Sequence, residues 1–169
     1  MYRRYTSFIF AVLLSTIAIP SSGIGQGAAL REALVGTWVY VSSTGKREDG
    51  SAVQRPGLQG AVTYTSDGRF HFITTATGAS KYASNDPSRP SAEEAMDTAS
   101  KSIAYTGSYT VDENTKTINL NIETSTFPNL VGAPNQRRVV TSIGRDEMTF
   151  VNPRNPAGTT LEFKWKRAK

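Results

Sequence analysis

The sequence predicts an all-β domain, more narrowly an eight-stranded up-and-down antiparallel β-barrel with one short helix between the third and fourth strands. Three features of the pattern support this fold class. Apolar and polar residues alternate in several segments, which is typical of strands with one buried face. The segments are joined mostly by short connections rich in turn-forming residues, which favour antiparallel neighbours. Eight such strands can close into a barrel, which leaves no unpaired sheet edge.

The first residues have the order of a secretory signal peptide. Arg3 and Arg4 precede an apolar run over residues 8–19, and small residues follow it. The run is roughly a dozen residues, shorter than the ~20 that a membrane-spanning helix needs. We therefore expect residues 1–27 to be a cleaved signal peptide and residues 28–169 to form the barrel domain. The protein is then secreted or periplasmic, without stable membrane insertion; a retained membrane anchor is the alternative.

The first half of the domain is expected to contain a helical turn and three strands. Residues 29–35 have apolar residues at helical spacing, and Gly36 ends that segment. Strands are expected at about residues 37–43, 61–65 and 69–76. A long polar loop separates the first two strands, and a Ser-Asp-Gly turn joins the second to the third.

The second half begins with the helix. Ser91 and Glu94 have the spacing of a capping box, which predicts a helix that runs to about Lys101. Its apolar stripe is thin, so we expect a lid or plug packed against the sheet. Five further strands are expected at about residues 103–111, 116–124, 136–143, 147–152 and 159–167.

Alternation also predicts which side chains point into the barrel. In a strand, every second side chain lies on the same face of the sheet. The side chains expected to point inward are Trp38, Tyr40 and Ser42 on the first strand, Ile103, Tyr105, Gly107 and Tyr109 on the fourth, Ile118, Leu120 and Ile122 on the fifth, and Leu161, Phe163 and Trp165 on the last.

Composition excludes several kinds of chemistry. The chain has no cysteine and one histidine, His71, which removes disulfides, thiolate metal sites, thiol nucleophiles and any site with two imidazoles. We expect no metal site and no cofactor. His71 lies between Phe70 and Phe72 and faces outward if those rings fill the barrel, the alternative being an axial haem ligand. The net charge is +5, but the basic residues are scattered, so nucleic-acid binding is not expected.

Four motifs stand in a fixed order along the chain. They are Leu34-Val35-Gly36-Thr37-Trp38, Tyr64-Thr65-Ser66-Asp67-Gly68-Arg69, Ile103-Ala104-Tyr105-Thr106-Gly107-Ser108-Tyr109, and Phe127-Pro128-Asn129-Leu130-Val131-Gly132 followed by Arg137. In this order they resemble the lipocalin-like domain family of bacteria and fungi. The resemblance covers about residues 34–167.

The resemblance implies structural roles for three residues. Gly36 and Trp38 are placed as in the lipocalins, where the tryptophan closes the floor of the barrel. It packs there against a basic residue at the end of the last strand, for which Arg167 or Lys166 is suitably placed. The chain departs from the family in its fifth strand. Leu120 and Asn121 stand where members usually carry histidine, so a function that needs imidazole there is not expected.

Six residues are candidates for ligand contacts, namely Tyr40, Tyr64, Tyr105, Gly107, Tyr109 and Arg137. The tyrosines offer an apolar ring and a hydroxyl that orients a ligand, although they fit ordinary core packing equally well. Gly107 removes side-chain volume, which leaves room for a ligand or allows a bend. Arg137 has the phase of Val139 and Thr141, so it points inward to bind a carboxylate, or lies on the surface.

These observations predict an exported carrier of a small apolar or amphipathic molecule. No catalytic residue is expected, because Asp112, Glu113 and Glu123 have no context that defines a carboxylate pair. One alternative is an isomerase or cyclase of the barrel type, in which an inward tyrosine or Glu123 acts beside an inward cation. The other is a structural or interaction module with no ligand. A cavity inside the barrel separates the packed module from the other two.

Overall fold

The computed structural model describes residues 29–54, 57–154 and 158–169. The expected signal peptide lies outside the described residues and stays a prediction. The elements in chain order are α1 (Leu30–Leu34), β1 (Gly36–Lys46), β2 (Ala52–Val53), β3 (Leu58–Tyr64), β4 (Arg69–Ala76), α2 (Ala92–Lys101), β5 (Ser102–Asp112), β6 (Thr117–Ser125), a 3₁₀ helix (Pro128–Leu130), β7 (Arg137–Ile143), β8 (Glu147–Asn152) and β9 (Thr160–Arg167).

Eight of these strands close into a barrel. Strand β1 pairs with β3, each following strand pairs with the next, and β9 returns to pair with β1. The pairings are antiparallel, which confirms the predicted fold class. The ninth strand, β2, has two residues and pairs only with the end of β1, where Gly45 opposes Val53.

The alternation of the sequence places the core. Strand β6 buries Ile118, Leu120 and Ile122 and turns its polar residues outward. Strand β9 likewise buries every second residue from Leu161 to Trp165. Both strands follow the predicted faces because period-two alternation directs one set of side chains to one face.

Three bulges interrupt this alternation, in β1, β6 and β7. A bulge adds a residue to one strand and shifts the phase of the residues after it. In β1 the register shifts between Tyr40 and Ser42. Ser42 is therefore exposed, and Ser43 is half-buried in its place. The predicted inward position of Ser42 is wrong for this reason.

One end of the barrel is closed by α1 and by the pair Trp38 and Arg167. The Trp38 side chain is fully buried and donates its Nε1–H to the Leu34 carbonyl at 2.8 Å. The Arg167 guanidinium carbon lies 4.1 Å from the centroid of the Trp38 ring. Gly36 has φ +126°, and a Cβ there would lie 2.8 Å from Arg167 Nη1. Glycine at position 36 therefore serves both the backbone conformation and the space that Arg167 needs.

The backbone of α1 is capped from a distant turn. Ala29 offers no side-chain cap, and the Glu113 carboxylate accepts hydrogen bonds from the backbone N–H groups of Leu30 and Arg31 at 2.8 and 3.0 Å. The bond from Arg31 and then that from Leu30 lower the pKa of Glu113 below its ordinary value. The β5–β6 turn thus fixes the helix that closes the barrel.

Glu113→Ala is expected to lower the free energy of unfolding at pH 7 by about 1 kcal/mol, since two helix-start donors lose their acceptor. Because the folded pKa is lowered, this contribution is present above the unfolded pKa of about 4.3 and is lost as pH falls through the folded value. Urea unfolding at pH 7 and at pH 3 measures it. A difference between the two proteins that does not shrink at pH 3 would contradict this role, and Glu32→Ala is the control within α1.

Helix α2 has the predicted start. Ser91 accepts from the backbone N–H of Glu94, and the Glu94 carboxylate accepts from that of Ser91, which confirms the capping box. The helix buries none of its residues and runs directly into β5. It is therefore not a plug that fills the barrel, and its expected role as a lid stays a prediction.

Candidate functional site: a cavity at the open end of the barrel

The interior of the barrel is divided into a packed half and an open half. The ten largest fully buried side chains are Trp38, Trp165, Tyr64, Phe70, Phe150, Leu34, Ile118, Ile122, Met148 and Val62. They fill the half next to α1, and none of them lines the cavity described next. The indole of Trp165 forms the layer of this packing that is nearest to the open half, and the centroids of the Phe72 and Phe163 rings each lie 6.0 Å from it.

The opposite half holds a cavity of about 330 Å³. Pockets for small ligands span roughly 300–1,000 Å³, so this one is at the small end of that range. Its apolar lining residues are Leu58, Phe72, Ile103, Phe127, Leu130, Leu161 and Phe163. Its polar lining residues are Thr74, Tyr105, Asn135, Gln136, Arg138, Asn152 and Arg154. Phe127 is largely exposed, which places it at the mouth.

Arg138 is the buried cation of this cavity. The residue is 6% exposed. Its guanidinium donates to the Tyr105 hydroxyl at 3.1 Å, to Asn152 Oδ1 at 3.3 Å and to the Arg137 carbonyl at 2.8 Å. All three acceptors are neutral. No carboxylate among the described residues forms an ion pair with Arg138.

An aromatic stack fixes Tyr105 beside Arg138. The rings of Tyr105 and Phe72 lie 4.5 Å apart at an interplanar angle of 18°, and Phe70 meets Tyr105 edge-on at 5.9 Å. This packing leaves the tyrosine ring little freedom. Its hydroxyl is held where the Arg138 guanidinium reaches it across the barrel.

A second arginine lies at the rim. Arg154 pairs with Glu48 at 3.1 Å, and the two side chains are 69% and 77% exposed. A pair this exposed contributes little stability. Glu48 is not among the lining residues, and no acidic side chain in the described part of the chain lines the cavity. The charged groups of the lining are therefore cationic.

The structure separates the four predicted tyrosines. Tyr105 lines the cavity, whereas Tyr64 and Tyr109 lie in the packed half with their rings 5.1 Å apart. Burial raises the pKa of both Tyr64 and Tyr109 above its ordinary value. The Tyr109 hydroxyl donates to the Thr65 carbonyl, and the half-buried Tyr40 meets the Trp165 ring and bonds Ser43. Three of the four are thus packing residues.

Arg137 does not point inward. It is exposed, and its neighbour Arg138 enters the barrel with Val140. The predicted phase of β7 is wrong by one residue, because both phases of this strand contain a valine, Val139 and Val140. Two adjacent arginines in a strand indicate that one of them points inward. Alternation alone selected Arg137, which is the wrong one.

Gly107 does not open space for a ligand. A Cβ at this position would lie 1.9 Å from the carbonyl oxygen of Asn121 in the neighbouring strand. Gly107 instead allows β5 to approach β6 closely at the bulge, which is the bend considered as the alternative. A larger side chain at position 107 would collide with the backbone of β6 and is expected to disturb the pairing of the two strands.

His71 and Glu123 lie on the outer face. His71 is exposed, as expected, and its Nδ1 lies 2.9 Å from Thr106 Oγ1. Glu123 pairs with Arg69 through two contacts of 2.8 and 2.9 Å, so it is not beside the inward cation. Among the described residues, no group of three His, Cys, Asp or Glu side chains is arranged to hold a metal ion. No helix in the same residues is long and apolar enough to cross a bilayer.

Together these features define a closed antiparallel barrel, which is capped at one end by a short helix and a Trp–Arg stack and holds a small cavity at the other. The family model for the lipocalin-like domain matches residues 35–168. The chain belongs to the lipocalin-like domain family. No curated protein sequence matches it.

Proposed function

We propose that the protein is an exported carrier that binds one small apolar or amphipathic molecule in the cavity. The observation that carries this proposal is a single polar cluster around Arg138 in a largely apolar cavity above a packed floor. Apolar surface buried by a ligand contributes about 25 cal/mol per Å², and the polar cluster orients the ligand. The charge and hydropathy order of residues 1–27 supports export.

The division of the barrel argues against a module packed throughout. A fully packed barrel of eight strands leaves no room for a ligand. Here one half of the barrel is filled by fully buried side chains, and the other half keeps about 330 Å³.

Thr74→Trp is expected to block the cavity. Thr74 is buried on β4 and lines the cavity, whereas the next residue, Ile73, is exposed on the outer face. The wild-type protein should bind the neutral probe N-phenyl-1-naphthylamine with near one-to-one stoichiometry. Thr74→Trp should weaken binding about tenfold or more, and Ile73→Trp should leave it unchanged. Isothermal titration calorimetry measures both.

Two results would count against the carrier. One is the absence of saturable binding to the wild-type protein. The other is equal affinity of the two tryptophan variants, which would place the probe outside the barrel. Circular dichroism and thermal unfolding establish that each variant is folded, and Ile103→Trp, at a second lining residue, provides an independent block.

A second candidate function is proton transfer by an isomerase or cyclase. The observation that favours it is the Tyr105 hydroxyl within 3.1 Å of the Arg138 guanidinium, an inward tyrosine beside an inward cation. A carrier requires no proton from Tyr105, so Tyr105→Phe should retain the neutral probe in either case. Loss of turnover in Tyr105→Phe, with probe binding retained, would identify the enzyme.

A further inference from the structure

We infer that the cavity selects a compact carboxylate with a flat apolar body, whose carboxylate group pairs with Arg138. This inference rests on the proposed binding function and names the chemical class of the ligand. Three observations support it: the charge of the cavity lining, the neutral partners of Arg138, and the aromatic layer that ends the cavity on the side of the packed half.

The partners of Arg138 in the described part of the chain leave its charge without a counter-ion. A buried charge is costly unless it is paired, and hydrogen bonds to neutral groups compensate that cost only in part. Arg138 is bonded by a phenol, an amide and a backbone carbonyl, all neutral. A ligand carboxylate supplies the missing negative charge, and the planar guanidinium fork matches its two oxygens.

The rest of the lining favours the same sign of ligand. Arg154 at the rim is already paired with the exposed Glu48, and no acidic side chain in the described residues lines the cavity. A cleft lined by one sign of charge between low-dielectric walls concentrates ions of the opposite sign. The charge of Arg138 therefore favours an anion inside the cavity.

The floor of the cavity sets the size of the ligand. Phe72 and Phe163 line the cavity, and the Trp165 ring packs against both of them from the filled half. The barrel below this layer is occupied by fully buried side chains. A long alkyl chain has no room to extend past the layer, whereas a flat ring system fits against its aromatic surface.

Three probes that share one apolar ring system and differ in charge test the inference. The probes are 2-naphthoate, 2-naphthalenemethanol and 2-naphthylmethylammonium, each titrated calorimetrically at pH 7. In the wild-type protein the carboxylate is expected to bind about tenfold or more tightly than the alcohol, and the ammonium most weakly. Hexadecanoate, the long-chain arm, is expected to bind more weakly than 2-naphthoate.

Two arginine variants locate the effect. Arg138→Met should bring the carboxylate-to-alcohol affinity ratio to near one. Thermal unfolding must establish that the variant is folded, because the Tyr105 hydroxyl, Asn152 Oδ1 and the Arg137 carbonyl lose their donor. Arg137→Met, at the exposed neighbour, is the matched control and should keep the wild-type ratio. Arg138→Gln repeats the test with a polar side chain. If neither variant folds, the comparison of the three probes on the wild-type protein still tests the anion preference.

The possible outcomes distinguish failure of this inference from failure of the proposed carrier function. Equal binding of carboxylate and alcohol by the wild-type protein would overturn the anion preference and leave the carrier in place. A ratio retained in Arg138→Met, or lost in Arg137→Met, would overturn the role of Arg138. Tighter binding of hexadecanoate than of 2-naphthoate would overturn the size limit. If none of the naphthalene probes binds, the carrier and the inference fail together.

Discussion

Trp38→Ala is expected to lower the free energy of unfolding by about 3–5 kcal/mol. The side chain is fully buried, so its removal leaves a large cavity next to α1. The Leu34 carbonyl also loses the indole donor at 2.8 Å, and Arg167 loses the ring beneath its guanidinium. Urea unfolding followed by circular dichroism measures the change.

Trp38→Phe is the matched control for this substitution. It keeps most of the apolar volume and loses the hydrogen bond, so we expect a loss of about 1–2 kcal/mol. A loss below about 1 kcal/mol for Trp38→Ala would show that the floor does not depend on this ring. Because Trp38 does not line the cavity, variants that remain folded should keep the wild-type probe affinity.

Arg167→Ala is expected to cost about 3 kcal/mol. The guanidinium donates to the carbonyls of Ala33 and Val35 at 2.8 Å each and to that of Arg145 at 2.6 Å. A hydrogen bond to a charged group contributes about 1.5–3 kcal/mol and the ring contact about 1, but contributions that share one side chain do not add. Chemical denaturation at pH 7 measures the loss.

Arg167→Lys separates the charge from the fork of donors. Lysine keeps the positive charge but presents a single ammonium group, which cannot reach all three carbonyls in the geometry of the guanidinium. We expect it to recover less than half of the loss. A lysine variant as stable as the wild type would show that charge alone is sufficient. In a double-mutant cycle with Trp38→Phe, the two losses should couple, since the side chains are in contact.

Alternation predicted the strands well where no bulge intervenes. The third predicted strand, residues 69–76, coincides with β4 (Arg69–Ala76), and the inward faces of β6 and β9 are as predicted. The capping box also identified the start of α2, because its two reciprocal hydrogen bonds require only local spacing. These features depend on residues close together in the chain.

Two errors concern the inward faces. Ser42 and Arg137 were both assigned to the interior, and in each case the neighbouring residue lies there instead. In β1 an extra residue before Ser42 reverses its face, and the sequence contains no clear mark of this bulge. In β7 valine stands in both phases, at positions 139 and 140, so alternation could not choose between Arg137 and Arg138. Arg138 was missed for this second reason.

The height of a side chain along the barrel axis was the second property that the sequence did not predict. Tyr105 and Tyr109 share one face of β5, yet Tyr105 lines the cavity and Tyr109 lies in the packed half. Alternation gives the direction of a side chain but not the layer in which it meets residues from other strands. That layer depends on strand tilt and stagger, which are set by the closure of the whole sheet.

The division of the barrel allows the cavity to change independently of the packed half. The fully buried residues next to α1 and those lining the cavity are separate sets. Substitutions at Leu58, Ile103 or Phe127 alter the pocket without removing a fully buried core side chain. Descendants of one ancestral sequence can thus diverge in the ligand that they bind while they keep the same packed half of the barrel. Recognition in such a lineage is expected to drift faster than architecture.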